Sequence, residues 1–197
     1  MTETRDEGRQ IRVRKGRREL VADDSVIAVG DEVFRLDELD RVSYWAAARI
    51  NQATYQIGLA SGERKQVFMW DAYRRGTEMA DSRANWLRLV ARLEGTACPR
   101  IAAAALHEIE DGATITFGST ASERIDTNSE GLRFRRWLAK PIDWAAVSHA
   151  DMHEGQVRVW LTGAAKPKYG IGTTGWNAVV LPRVIRALAA GEPPRSG

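Results

Sequence analysis

Tyr55-Gln56-Ile57-Gly58-Leu59-Ala60-Ser61-Gly62 lines up with Gln156-Val157-Arg158-Val159-Trp160-Leu161-Thr162-Gly163, at an offset of 101 residues. Each stretch reads as a strand running into a turn. The match extends outward in order. Val42-Ser43-Tyr44 pairs with Val147-Ser148-His149 at an offset of 105. Glu19-Leu20-Val21-Ala22-Asp23-Asp24-Ser25 pairs with Glu123-Arg124-Ile125-Asp126-Thr127-Asn128-Ser129 at 104, and Trp86 pairs with Trp176 at 90. Each match is weak alone. Offsets of 104, 105 and 101 in chain order, falling to 90 at the last match, are what two copies with different loop lengths produce.

Each copy reads as strands followed by a helix. In the first, strands are expected at 10–14, 19–22, 26–29, 33–36, 41–49, 53–60 and 64–70. The dipeptide Gly30-Asp31 makes one hairpin. Asp81-Ser82 is expected to cap a helix whose apolar face is Trp86, Leu89, Val90 and Leu93, with Gly95 as its stop. Pro99 opens a linking helix that ends near Asp111-Gly112. In the second copy, strands are expected at 113–117, 122–126, 132–137, 144–149, 157–161 and 168–171. Asn177 is expected to cap a final helix to about 190, inside which Pro182 costs a hydrogen bond or a bend.

Ile115-Thr116-Phe117-Gly118, Glu130-Gly131-Leu132-Arg133-Phe134, Ile142-Asp143-Trp144-Ala145-Ala146-Val147 and Trp176-Asn177 up to Leu181 carry a family resemblance. Over about residues 10–190 the pattern resembles the tandem pleckstrin-homology-like (PH-like) proteins of actinobacteria. The resemblance implies an α+β fold of two tandem PH-like domains, each a curved antiparallel sheet capped by a C-terminal helix. The divisions it implies are a flexible basic N-terminus 1–9, domain 1 at 10–96, a linking helix 97–112, domain 2 at 113–190 and a disordered tail 191–197. In such families the fold binds lipids, peptides or proteins, and fold alone does not fix function.

The chain has 197 residues, with 29 Lys and Arg against 26 Asp and Glu. The positive surplus sits in residues 1–18, which carry seven basic and three acidic side chains. The rest is nearly balanced, which argues against a whole-domain nucleic-acid face. No apolar run reaches the length of a membrane span, and no apolar segment follows the N-terminal charges as a secretory signal requires. A single cysteine, Cys98, excludes an internal disulfide and fits a reducing compartment, so cytoplasmic localisation is expected.

The basic turn Arg12, Arg14, Lys15, Arg17 and Arg18 is the sharpest candidate site, for an anionic ligand. It falls where lipid-binding PH domains carry headgroup-binding residues. The corresponding turn of the second copy has Gly118, Ser119, Ala121 and Ser122 instead. The plainer reading is a solvated hairpin. His149, Asp151 and His153 would share one face of a strand and are metal-ligand types, but no fourth ligand is evident, so no metal is expected there. Gly170-Ile171-Gly172-Thr173-Thr174-Gly175 matches a dinucleotide-loop spacing, yet too few residues follow it for the parallel strand such a site needs. Cys98 at a helix start could gain thiolate character, although a small buried residue is the plainer reading. Of the seven tryptophans, core packing is the default, with Trp86 and Trp176 foremost.

Together these readings lead to a non-enzymatic binding or adaptor protein without cofactor, using strand edges and loops to engage a protein partner. Homo-oligomerisation through sheet edges is compatible. Peripheral attachment to an anionic membrane through the basic hairpin is the alternative, and a metal protein or enzyme the third.

Overall fold

The computed structural model describes residues 10–118, 123–135 and 140–190. The expected N-terminal arm 1–9, the tail 191–197 and Trp137 lie outside the described residues. The chain begins as an antiparallel meander of β1 (Ile11–Lys15), β2 (Arg18–Ala22), β3 (Val26–Val29) and β4 (Glu32–Arg35), in that spatial order. A second sheet follows, with β5 (Arg41–Ala48), β6 (Gln52–Ser61) and β7 (Arg64–Tyr73). After the helices α1 (Glu78–Arg92) and α2 (Cys98–Glu110), the same order returns. A four-stranded sheet is built from β8 (Ile115–Gly118), β9 (Arg124–Thr127), β10 (Gly131–Phe134) and β11 (Ile142–Asp143). A three-stranded one is built from β12 (Val147–His153), β13 (Gln156–Leu161) and β14 (Tyr169–Gly172), and α3 (Leu181–Ala189) closes the described chain. The molecule is α+β with four open antiparallel sheets.

The sequence matches fall on strands of equal rank. Glu19–Ser25 and Glu123–Ser129 cover β2 and β9, Val42 and Val147 lie on β5 and β12, and the longest pair covers the middle strands β6 and β13. The tryptophan pair parts: Trp86 is in α1, whereas Trp176 is in the turn before α3. Alternation holds the first sheets together, with Ile11, Leu20, Ile27 and Phe34 buried against a core that includes Ile57, Phe68 and Trp70. On β6 the alternation breaks, because residues 57 to 60 are all buried. Trp176 covers the outer face at Gly58, so this strand is packed on both sides. One apolar cluster then continues through Leu89 and Leu93, through Ile101 and Ile109 of α2, and into Val157, Ile171 and Val184.

Several local expectations need correction. Gly95 does not end a helix. The backbone stays right-handed from α1 into α2 through a π-helical segment, Leu93–Ala97, in which the Cys98 N–H bonds to the Leu93 carbonyl. Pro99 supplies the reason, since it lacks an N–H and its ring would press on the carbonyl four residues back, and a wider turn relieves both. Asp81 and Ser82 lie inside α1, whose N-cap is Thr77; its hydroxyl bonds Asp81 at 2.6 Å. Pro182 falls in the first turn of α3, where no N–H is needed, so the expected cost does not arise. Trp144–Ala146 is a 3-10 turn because the Asp143 carboxylate accepts the Ala145 N–H at 2.8 Å, and the strand starts at Val147 and runs on to His153. Among the described residues Trp70 and Trp144 are the buried tryptophans, while Trp86 and Trp176 are half-buried. Among the described residues no helix is long and apolar enough to cross a membrane.

Candidate functional site

The basic turn is a tight hairpin. Lys15 pairs with Arg18, and Gly16 at φ 58° takes the left-handed position that glycine adopts without strain. Its charges are partly met within the fold. Glu19 receives Arg14 at 3.1 Å and Arg12 at 3.9 Å, Lys15 reaches Asp71 at 3.3 Å, and Arg18 donates to Gln66 at 2.9 Å. Arg17 has no ion pair among the described residues. The contacts with Gln66 and Asp71 set the hairpin against β7, whose Val67 and Met69 are exposed. The Asp71 carboxyl is held below its ordinary value by the Thr54 hydroxyl and then by Lys15.

His149, Asp151 and His153 do share a face of β12, but each is engaged separately. His149 stacks on Trp160 at 5.5 Å, Asp151 takes both donors of Arg158 at 2.9 Å, and His153 faces Glu154 at 3.7 Å. Among the described residues no three His, Cys, Asp or Glu side chains form a metal-holding group. The glycine-spaced stretch also has a different setting. β14 runs antiparallel to β13, and a 3-10 turn follows, so there is no helix N-terminus of the phosphate-binding kind.

Sequence reading missed the feature that joins the two halves. A cleft of about 420 Å³ opens between β5, α1 and the hairpin joining β12 to β13. Tyr44, Trp45 and Ala46 form one wall, Trp86, Leu87 and Val90 a second, and Met152 to Gly155 a third. Leu87 and Met152 are 49% and 45% exposed at its margins. At its base, Glu94 joins the halves. It accepts from the Tyr44 hydroxyl and, at 2.6 Å, from Arg183 of α3. The π-helical segment is what carries Glu94, a placement seen often at functional sites. Burial and then Glu94 push the Tyr44 hydroxyl far above its ordinary value and the Cys98 thiol up to about 12. Both groups are therefore held protonated, and Cys98 is not an activated thiolate.

The wall formed by β5 is a sheet edge. Val42 turns its backbone groups outward, and Asn177 meets both: the Val42 N–H donates to Asn177 Oδ1 at 2.9 Å, and the Asn177 N–H donates to the Val42 carbonyl at 2.8 Å. Asn177 is thus an edge partner rather than a helix cap, held at φ 57°, a conformation asparagine tolerates. Alternate residues of an antiparallel edge strand point these groups the same way, so Tyr44 and Ala46 direct theirs into the cleft. No partner for them occurs among the described residues. In the second half, α3 packs along β12, the strand of equal rank. Compared with protein-family models and with curated proteins, the chain matches none.

Proposed function

We propose that the chain is a non-enzymatic interaction module of two PH-like domains, at 10–96 and 113–190, joined by the helix across 97–112. The recurrence of a four-stranded sheet, a three-stranded sheet and a helix supports that division. The observation that carries the function is the largely apolar cleft between the halves. Its volume lies in the range of ligand clefts, and Leu87 and Met152 stand exposed at its margins. The groups at its base favour binding over chemistry, because Glu94 is tied to Tyr44 and Arg183 and the Tyr44 hydroxyl is held protonated. A reducing compartment such as the cytoplasm fits the single buried thiol.

Affinity capture from the native host with wild type and with the double variant Leu87→Asp, Met152→Asp tests this. Both side chains are exposed, so the variant is expected to fold. A partner retained by wild type and lost by the variant is the expected outcome; partners held equally by both would contradict the reading.

The second reading is attachment to an anionic membrane through the hairpin. The exposed Arg12, Arg14 and Arg17, on a hairpin that Lys15 and Arg18 tie to β7, favour it, while Glu19 and Asp71 offset part of the charge. Liposomes with and without anionic lipid distinguish the two. Equal sedimentation at low salt would exclude the membrane reading.

A further inference from the structure

The outer face of the β8–β11 sheet carries charges of both signs that the fold leaves uncommitted. Alternation turns Phe117, Ile125, Leu132 and Phe134 into the core and leaves Thr116, Asp126 and Arg133 on the opposite face. A Cβ at Gly131 would overlap the Ile142 carbonyl, so glycine is what lets β11 come this close. A trough of about 510 Å³ lies on this face, within the size range of small-molecule sites. Asn128, Glu130 and Gly131 line one end, Arg133 and Arg135 the other, and Pro141 to Asp143 form a wall.

The two ends differ in charge. Asp143 pairs with Gly131 at the start of β10, next to Glu130. Arg133 follows two residues on, about 7 Å along the strand. Asp126, 7% exposed and opposite Arg133 in register, does not neutralise it. Its carboxylate is taken by the Thr116 hydroxyl at 2.8 Å and by Arg135 at 2.6 Å. Among the described residues neither Arg133 nor Glu130 has an ion pair. Asp143 uses one carboxylate oxygen, on the Ala145 N–H.

We propose that this trough binds a small zwitterion of the ω-amino acid class, with its carboxylate on Arg133 and its ammonium on Glu130 and Asp143. A phosphate-bearing ligand fits poorly, because Asp126, Glu130 and Asp143 outnumber the two arginines. A divalent cation fits no better, since among the described residues no three His, Cys, Asp or Glu side chains form a metal-holding group. A ligand carrying both charges, spaced as the ends of the trough are, meets each free group with its opposite. The trough shares no lining residue with the cleft, so it adds a ligand to the interaction-module reading without resting on it.

The test titrates the isotopically labelled full chain with glycine, β-alanine, γ-aminobutyrate, δ-aminovalerate and ε-aminocaproate, and follows amide chemical shifts. The series lengthens the charge separation one carbon at a time. Shifts centred on Gly131–Arg133 are expected with the longer members and not with glycine, whose two charges are too close to reach both ends. N-acetylation or amidation of the best member is expected to weaken it about tenfold, because each removes one charged partner. Arg133→Gln and Glu130→Gln change exposed side chains and are expected to fold, with unchanged circular dichroism. Arg133→Gln is expected to weaken the zwitterion by the same factor and to leave the amidated form as it was. Glu130→Gln is expected to do so for the acetylated form. Equal affinity along the series would overturn the proposal. Inorganic phosphate held at these amides more tightly than any zwitterion would overturn it too, as would the absence of shifts there with every member.

Discussion

Glu94 shows how much one side chain joins in this molecule. It sits between Tyr44 of the first half and Arg183 of the last helix, and it raises the Cys98 thiol. Glu94→Gln keeps the shape and removes the charge, leaving a half-buried guanidinium without its carboxylate. A loss of about 1–3 kcal/mol is expected by denaturant unfolding, and less for Tyr44→Phe, which leaves the ion pair intact. Cys98 is buried with its thiol held up to about 12, so native protein is expected to be silent to thiol reagents at pH 8 and to react once unfolded. The same shift contributes to the alkaline limb of stability. The unfolded thiol ionises first, near its ordinary 9.0, so stability is complete below that pH and falls as pH rises toward 12. The acidic limb has the opposite sign. The Asp126 carboxyl is held below its ordinary 3.8: burial opposes the shift, but the Thr116 hydroxyl and Arg135 outweigh it. Its contribution is complete above that value and is lost as pH falls through the lower, folded one, so Asp126→Asn is expected to flatten the acid limb of a stability profile. None of this was legible from sequence, because Tyr44, Glu94 and Arg183 are brought together only by the packed halves.

Among the elements, strands were far easier to read than helix boundaries. The strands of the first half announce themselves by alternation and by tight turns such as Gly30-Asp31, with sheet pairing between chain neighbours. Helix ends depend on which of several competing signals wins. Gly95 beside Pro99 reads as a stop and a restart, yet the structure meets the proline by widening the turn. This gives a sign test. A glycine ending a helix in the left-handed region would resist alanine, but Gly95 is helical and a Cβ there would meet nothing within 4 Å. Gly95→Ala is therefore expected to stabilise by about 0.5–1 kcal/mol in thermal or denaturant unfolding. Trp144–His149 was misread for a comparable reason. Its apolar residues suit a strand, but Asp143 captures the Ala145 N–H and delays the strand to Val147. The aspartate two residues ahead was the available signal.

At the scale of the whole molecule, the recurrence of the two halves could be read from aligned stretches, whereas their junction could not. Trp86 and Met152 meet in the cleft from positions far apart in the chain, and no local pattern announces that. The junction nonetheless leaves a trace at Gly58, where a Cβ would overlap the Ser43 hydroxyl and come within 3.2 Å of the Trp176 ring. Gly58→Ala is expected to cost about 1–3 kcal/mol, with Trp176 fluorescence altered, because the Ser43 hydroxyl must turn aside and the Trp176 ring must give way. That packing leaves one length of β5 capped by Asn177 and the next length open to the cleft. Residue-by-residue amide hydrogen exchange along β5 tests this most directly. Ser43, Trp45 and Ala47, bonded to β6, are expected to exchange slowly, and Tyr44 and Ala46 quickly. Slow exchange at Tyr44 and Ala46 would contradict an edge left open to the cleft.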